Sequence, residues 1–131
     1  MSDPRNLFEA ARAVMANAHA PYSGFPVGAA LRTPGGTIHA GCNVENASYP
    51  EGWCAETSAV AHMIAAGERE IVEIAVVAER MDRITPCGGC RQRLKEFGTA
   101  DTLVHLCDRD GVVGTVRLGE LLPMAFGLEG R

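Results

Sequence analysis

Residues 70–107 read EIVEIAVVAERMDRITPCGGCRQRLKEFGTADTLVHLC, and three kinds of pattern follow one another in them. EIVEIAVVA (70–78) is apolar and β-branched with only weak alternation, the pattern of a strand covered on both faces. GCRQRLKEFG (89–98) is rich in helix formers and stops at Gly98. DTLVHLC (101–107) is a second strand, ended by the turn residues DRDG (108–111). A strand, a helix and a strand in succession form a crossover unit, which lays its two strands parallel in one sheet.

Outward from this unit, VVGTVRL (112–118) adds a short strand and GELLP (119–123) a helical turn. Upstream, CAETSAVAHMIAAG (54–67) is an alanine-rich helix closed by Gly67. VGAALRT (27–33) and TIHAGCNVE (37–45) flank PGG (34–36), which predicts an antiparallel hairpin. Asp3 before Pro4 starts a first helix, with Leu7, Phe8, Ala11, Val14, Met15 and Ala18 at helical spacing. These elements predict an α/β fold: a three-layer sandwich in which one mixed sheet of about five strands is covered by helices.

At 131 residues the chain has the length of one domain, expected to span 1–131, and it is long enough to bury a core without disulfide staples. Its formal charge is −4, with lysines and arginines scattered rather than clustered. That distribution argues against a nucleic-acid polymer as partner. No basic segment leads into an apolar run near Met1, and no apolar stretch approaches the ~20 residues that span a bilayer, so no membrane partner and a cytoplasmic location are expected. In that compartment structural disulfides are disfavoured, so Cys42, Cys54, Cys87, Cys90 and Cys107 read as metal ligands or core residues.

Cys87 and Cys90 lie three apart in a helix's first turn, where their side chains share one face. Such a pair is half a tetrahedral zinc site; the other reading is a redox pair. Cys54, at the start of its own helix, is the candidate third ligand, because the positive end of a helix favours a thiolate. Its plainer reading is a small buried hydrophobe. Glu56 stands two residues on, where a helix end lets a carboxylate reach the same point without ligating. Three protein ligands leave an open position for water, the arrangement of catalytic zinc. Arg91, next to Cys90, is expected to donate hydrogen bonds toward the sulfurs.

Cys54-x-Glu56 followed by Pro86-Cys87-x-x-Cys90 is similar to the three-cysteine form of the zinc deaminase signature. Over nearly its full length the chain resembles the small, homotetrameric cytidine deaminases. The resemblance lies in PYSGFPVGAAL (21–31), NVENASYPEGWCAE (43–56), PCGGCRQ (86–92) and LLPMAFG (121–127). It implies that Cys54, Cys87 and Cys90 hold one Zn2+ per subunit and that Glu56 shuttles protons. Asn43 and Glu45 resemble the pair that hydrogen-bonds ribose hydroxyls. Phe25 is similar to a phenylalanine beside the pyrimidine, Phe126 to one lent by a neighbouring subunit, and Tyr49 to a residue at subunit contacts. Backbone groups at the CAE helix start, around Ala55, and near Pro86 would meet the base edges.

The implied reaction is hydrolysis of cytidine or 2'-deoxycytidine to the uridine nucleoside and ammonia, in pyrimidine salvage. Zinc-bound hydroxide would attack C4 while Glu56 moves protons from water to N3 and then to the leaving group. One position departs from the family pattern: Thr57 stands where many members carry an arginine, so the Thr57 hydroxyl joins Arg91 and the helix dipoles as a candidate partner of the sulfurs. Two alternatives stay open. One is a deaminase of another aminopyrimidine nucleoside such as blasticidin S. The other is a structural zinc module, which needs Cys42 or Cys107 as a fourth ligand.

Overall fold

A computed structural model of the protein describes residues 3–81 and 84–128. Its strands are β1 (Val27–Arg32), β2 (Ile38–Cys42), β3 (Glu73–Ala78), β4 (Leu103–Cys107) and β5 (Val112–Arg117), lying side by side in the order β2-β1-β3-β4-β5. Every residue of β3 is buried, as its unbroken apolar run predicts for a central strand. β3 and β4 run parallel, with Ile74 opposite Val104, because a helix connects them. The other neighbours are antiparallel, including the β1–β2 hairpin, whose tip places Gly36 at a φ of 92°.

Strand alternation sends residues to two separate cores. On one face, Ala30, Ala75, Val77 and Cys107 meet Leu7, Phe8, Ala11 and Met15 of helix α1 (Pro4–Met15). On the other, Ala29, Leu31, Ile74, Val76 and Val104 meet Ala59 and Met63 of α2 (Ala55–Ala65) and Leu94 of α3 (Gly88–Phe97). A short α4 (Leu118–Leu121) closes the described chain's helices. The predicted three-layer sandwich with one mixed five-stranded sheet is therefore the observed architecture.

Two glycines set how closely the layers approach. A Cβ on Gly28 would come within 2.0 Å of the Ala11 carbonyl oxygen in α1, and one on Gly41 within 2.4 Å of the Ala59 amide in α2. At both points backbone rests directly on backbone.

Three boundaries differ from the pattern read above. Helix α1 ends at Met15 rather than Ala18, where Ala18 N bonds the Met15 carbonyl in a tighter turn. β2 ends at Cys42, because Val44 leaves the hairpin to bridge Trp53 and His19. β3 starts at Glu73, with Ile71 bonded instead to the Phe97 carbonyl at the end of α3. No helix among the described residues is long and apolar enough to cross a membrane.

Candidate active site

Cys54 is the N-cap of α2 and Cys87 the N-cap of α3, both in extended backbone, and Cys90 lies one turn into α3. The packing of α2 beside α3 over the same sheet face aims both helix starts at one point. The three sulfurs lie within 4.8 Å of one another, with Cys54 Sγ and Cys87 Sγ 3.7 Å apart. Around a tetrahedral ion with metal–sulfur bonds of about 2.3 Å, sulfurs sit about 3.8 Å apart, so the Cys54–Cys87 separation matches zinc and Cys90 lies close enough to join it.

The chemistry of the donors agrees. Without a cation the thiols compete: Cys54 is held below the ordinary thiol range because Cys90 donates to its sulfur. Cys90 is pushed far above that range by giving this bond and by burial. A divalent ion is what allows all three to exist as thiolates together. Neither Cys42 nor Cys107 joins the group; Cys107 lies wholly buried in the α1-side core, across the sheet. Among the described residues the site thus has three protein donors and no fourth.

Glu56 is only 5% exposed and sits beside Cys90. Burial raises its carboxyl pKa, against the lowering effects of its own amide, the Cys90 side chain and the positive charge of Arg93. A cleft of about 150 Å³ opens over this point, lined by Cys54, Ala55, Glu56, Cys87, Asn43 and Thr85. Ala55 is wholly buried at the first position of α2, where helix amides lack intrahelical partners and are free for a ligand.

The sulfur contact expected of Arg91 is not formed. Its Nε donates to the Pro86 carbonyl at 2.7 Å, one Nη to the Leu121 carbonyl at 2.9 Å and the other to Thr85 Oγ1 at 3.4 Å. The guanidinium that reaches a sulfur belongs to Arg93, whose Nη1 lies 3.9 Å from Cys90 Sγ. Neighbours along a helix point about 100° apart, whereas residues three apart share a face, so Cys90 meets Arg93 and not Arg91. That i, i+3 spacing was the signal that could have found it. The Thr57 hydroxyl does stand at the sulfur, 3.6 Å from Cys90 Sγ.

Asn43 lines the cleft and Glu45 follows two residues on, each already engaged by the backbone. Asn43 Oδ1 accepts from Val27 N and its Nδ2 donates to the Phe25 carbonyl, both at 2.9 Å. Glu45 accepts from the amides of Tyr22 and Ser23 and from the Ser23 hydroxyl, bonds that hold its carboxyl below the usual range. The Ser23 hydroxyl donates to the carboxylate, so its bond to Glu45 adds most to that lowering. These partners come from a loop some twenty residues earlier, which no local spacing reveals. Each side chain still has hydrogen-bonding capacity left for a hydroxyl. Glu45 also lines a second cavity of about 310 Å³ with Tyr22 and Tyr49, whose rings meet edge to face at 6.0 Å. Phe25 packs at the edge of the α2–α3 core. Phe126 is not brought to the sulfurs of its own chain: it is 70% exposed, with its carbonyl held by Gln92 Nε2 on α3.

Comparison with known proteins places this geometry in a family. The family model for the cytidine and deoxycytidylate deaminase zinc-binding region matches residues 1–106. A cytidine deaminase of Halalkalibacterium halodurans is 42% identical over 127 residues, which is 97% of this chain and 96% of that protein. One from Mycobacterium tuberculosis is 42% identical over 114 residues, 87% of this chain and 82% of that protein. The crystal structure of a Burkholderia pseudomallei cytidine deaminase superposes with a TM-score of 0.90 at 46% identity, covering 95% of this chain and all of the other. With three clustered sulfurs, the shared sheet and near-complete coverage, the chain belongs to the cytidine deaminase family of zinc-dependent hydrolytic deaminases.

Proposed function

We propose that the protein hydrolyses cytidine and 2'-deoxycytidine to uridine and 2'-deoxyuridine with release of ammonia, using one Zn2+ per chain, as a cytoplasmic salvage enzyme. The whole of residues 1–131 serves as one catalytic domain. The observation that carries this reading is the convergence of Cys54, Cys87 and Cys90 within 4.8 Å beside the buried carboxyl of Glu56. Bound there, zinc supplies Lewis-acid chemistry that makes water a nucleophile near neutral pH.

Cytosine C4 is a poor electrophile until N3 is protonated. Glu56 takes up a proton at its carboxylate, delivers it to N3, and later passes a proton to the departing amino group. A buried carboxyl with a raised pKa suits a group that must hold a proton near neutral pH and release it again. Amides at the α2 start, at Ala55, orient the base edge. Asn43 and Glu45, set rigidly by their backbone bonds, present an amide and a carboxylate to the ribose hydroxyls. Phe25 walls the pyrimidine. Exposed Tyr49 and Phe126, at 75% and 70%, are suited to a homotetramer in which one copy completes its neighbour's site.

The deciding assay follows ammonia release by the zinc-loaded protein from cytidine, 2'-deoxycytidine and blasticidin S, alone and in competition. Turnover of both cytosine nucleosides, reduced about 10²–10⁴-fold in Glu56→Gln with zinc retained, is the expected result. Near-native turnover by Glu56→Gln would refute the shuttle, and preference for the antibiotic would reassign the substrate.

A further inference from the structure

The three sulfurs do not share one environment. Cys87 is exposed and Cys54 half-buried, so water can solvate them, whereas Cys90 is 0% exposed. A buried thiolate needs its charge balanced by the protein itself. Two donors stand at that sulfur: Thr57 Oγ1 at 3.6 Å, from α2, and Arg93 Nη1 at 3.9 Å, from α3. The course of the arginine is shaped for the contact. Its side chain runs back toward the helix start, over Gly89, where a Cβ would lie 3.2 Å from Nη1. The absence of a side chain at Gly89 gives the guanidinium its path to the sulfur.

Resting on the zinc-site reading above, we propose that Arg93 is a positioning residue for Cys90: with the Thr57 hydroxyl it balances the charge of the one metal-binding sulfur that water cannot reach. Arg93 does this from the exposed side of α3, without touching substrate. Its removal leaves the fold intact and weakens the hold of Cys90 on the ion.

The test measures zinc affinity by chelator competition, together with the sulfur-to-metal charge-transfer band of the cobalt-loaded protein and thermal unfolding of the metal-free protein. Arg93→Ala is expected to weaken zinc binding about 10–100-fold, the usual effect of losing a partner of a metal ligand, and to shift the cobalt band. Its metal-free unfolding should match wild type. Arg93→Lys should recover part of the affinity. Thr57→Arg in the Arg93→Ala background should recover it too, because position 57 faces the same sulfur. Gly89→Ala, which crowds the guanidinium, should fall between wild type and Arg93→Ala.

Wild-type affinity and an unshifted band in Arg93→Ala would overturn the role of Arg93 while leaving the deaminase reading in place. Lowered metal-free stability in Arg93→Ala, with no rescue by lysine, would also overturn it by making the residue structural. A wild-type protein that takes up no zinc through these sulfurs would remove both.

Discussion

Glu73 Oε1 meets His105 Nε2 at 2.8 Å across the parallel pair β3 and β4, while its other carboxylate oxygen accepts from Arg32 Nε at 2.9 Å. His105 Nδ1 continues the line to Thr115 Oγ1 at 2.9 Å, so one polar row crosses β1, β3, β4 and β5. The Glu73 and His105 side chains are 1% and 3% exposed. Removing one member of such a group leaves the others buried and unmatched. Glu73→Ala should therefore cost about 3–5 kcal/mol in urea unfolding. A loss below about 1 kcal/mol, the range of surface pairs, would show that the row contributes little.

Gly28 and Gly41 should respond alike in stability and differently in activity. Each alanine substitution forces a Cβ into a helix backbone, at 2.0 Å and 2.4 Å, and should destabilise by about 1–3 kcal/mol or more. Gly41→Ala displaces α2, which carries Cys54 and Glu56, so kcat/KM should drop as well. Gly28→Ala displaces α1, on the sheet face away from the sulfurs, and native samples should keep near-normal kcat/KM. Equal loss of activity in both would disconnect α2 placement from catalysis.

The buried carboxyl of Glu56 makes a pH prediction for the metal-free protein. Burial raises its pKa, so the folded chain holds this proton more tightly than the unfolded chain does. Its stabilising contribution is fully present below the unfolded carboxylate pKa and is lost as pH rises through the folded value. Metal-free wild type should lose stability across that window, and Glu56→Gln should flatten the loss. Urea midpoints at stepped pH measure it; parallel curves for the two proteins would contradict the assignment.

Tyr22, Val44, Tyr49 and Trp53 are 51%, 47%, 75% and 52% exposed and lie close together, with Val44 bridged to Trp53 and the two tyrosines in ring contact. On the homotetramer reading proposed above, this exposed apolar group is the candidate contact between copies. If the proposed homotetramer packs through this group, Trp53→Arg should give smaller species than wild type in sedimentation velocity and lower activity with them. An unchanged sedimentation coefficient would move the interface elsewhere.

Local pattern in the sequence was enough for the hairpin, the crossover unit, the helix starts at Cys54 and Cys87, and the pairing of Cys87 with Cys90. Each of these rests on contacts within a few residues, where spacing alone dictates which side chains share a face. Helix-start chemistry put forward Cys54 and Glu56 as candidates, and the resemblance in motifs gave them the roles of third ligand and proton shuttle. What the tertiary structure decided was direction and partnership across the chain. Only packing of α2 against α3 brings three sulfurs to one point, and only the orientation of α3 turns Arg93, not Arg91, toward Cys90. The loop at Tyr22 and Ser23 that holds Glu45, and the row from Arg32 to Thr115, join segments tens of residues apart. Such contacts depend on where the sheet and helices place each backbone, and that placement is not written in any local period of the sequence.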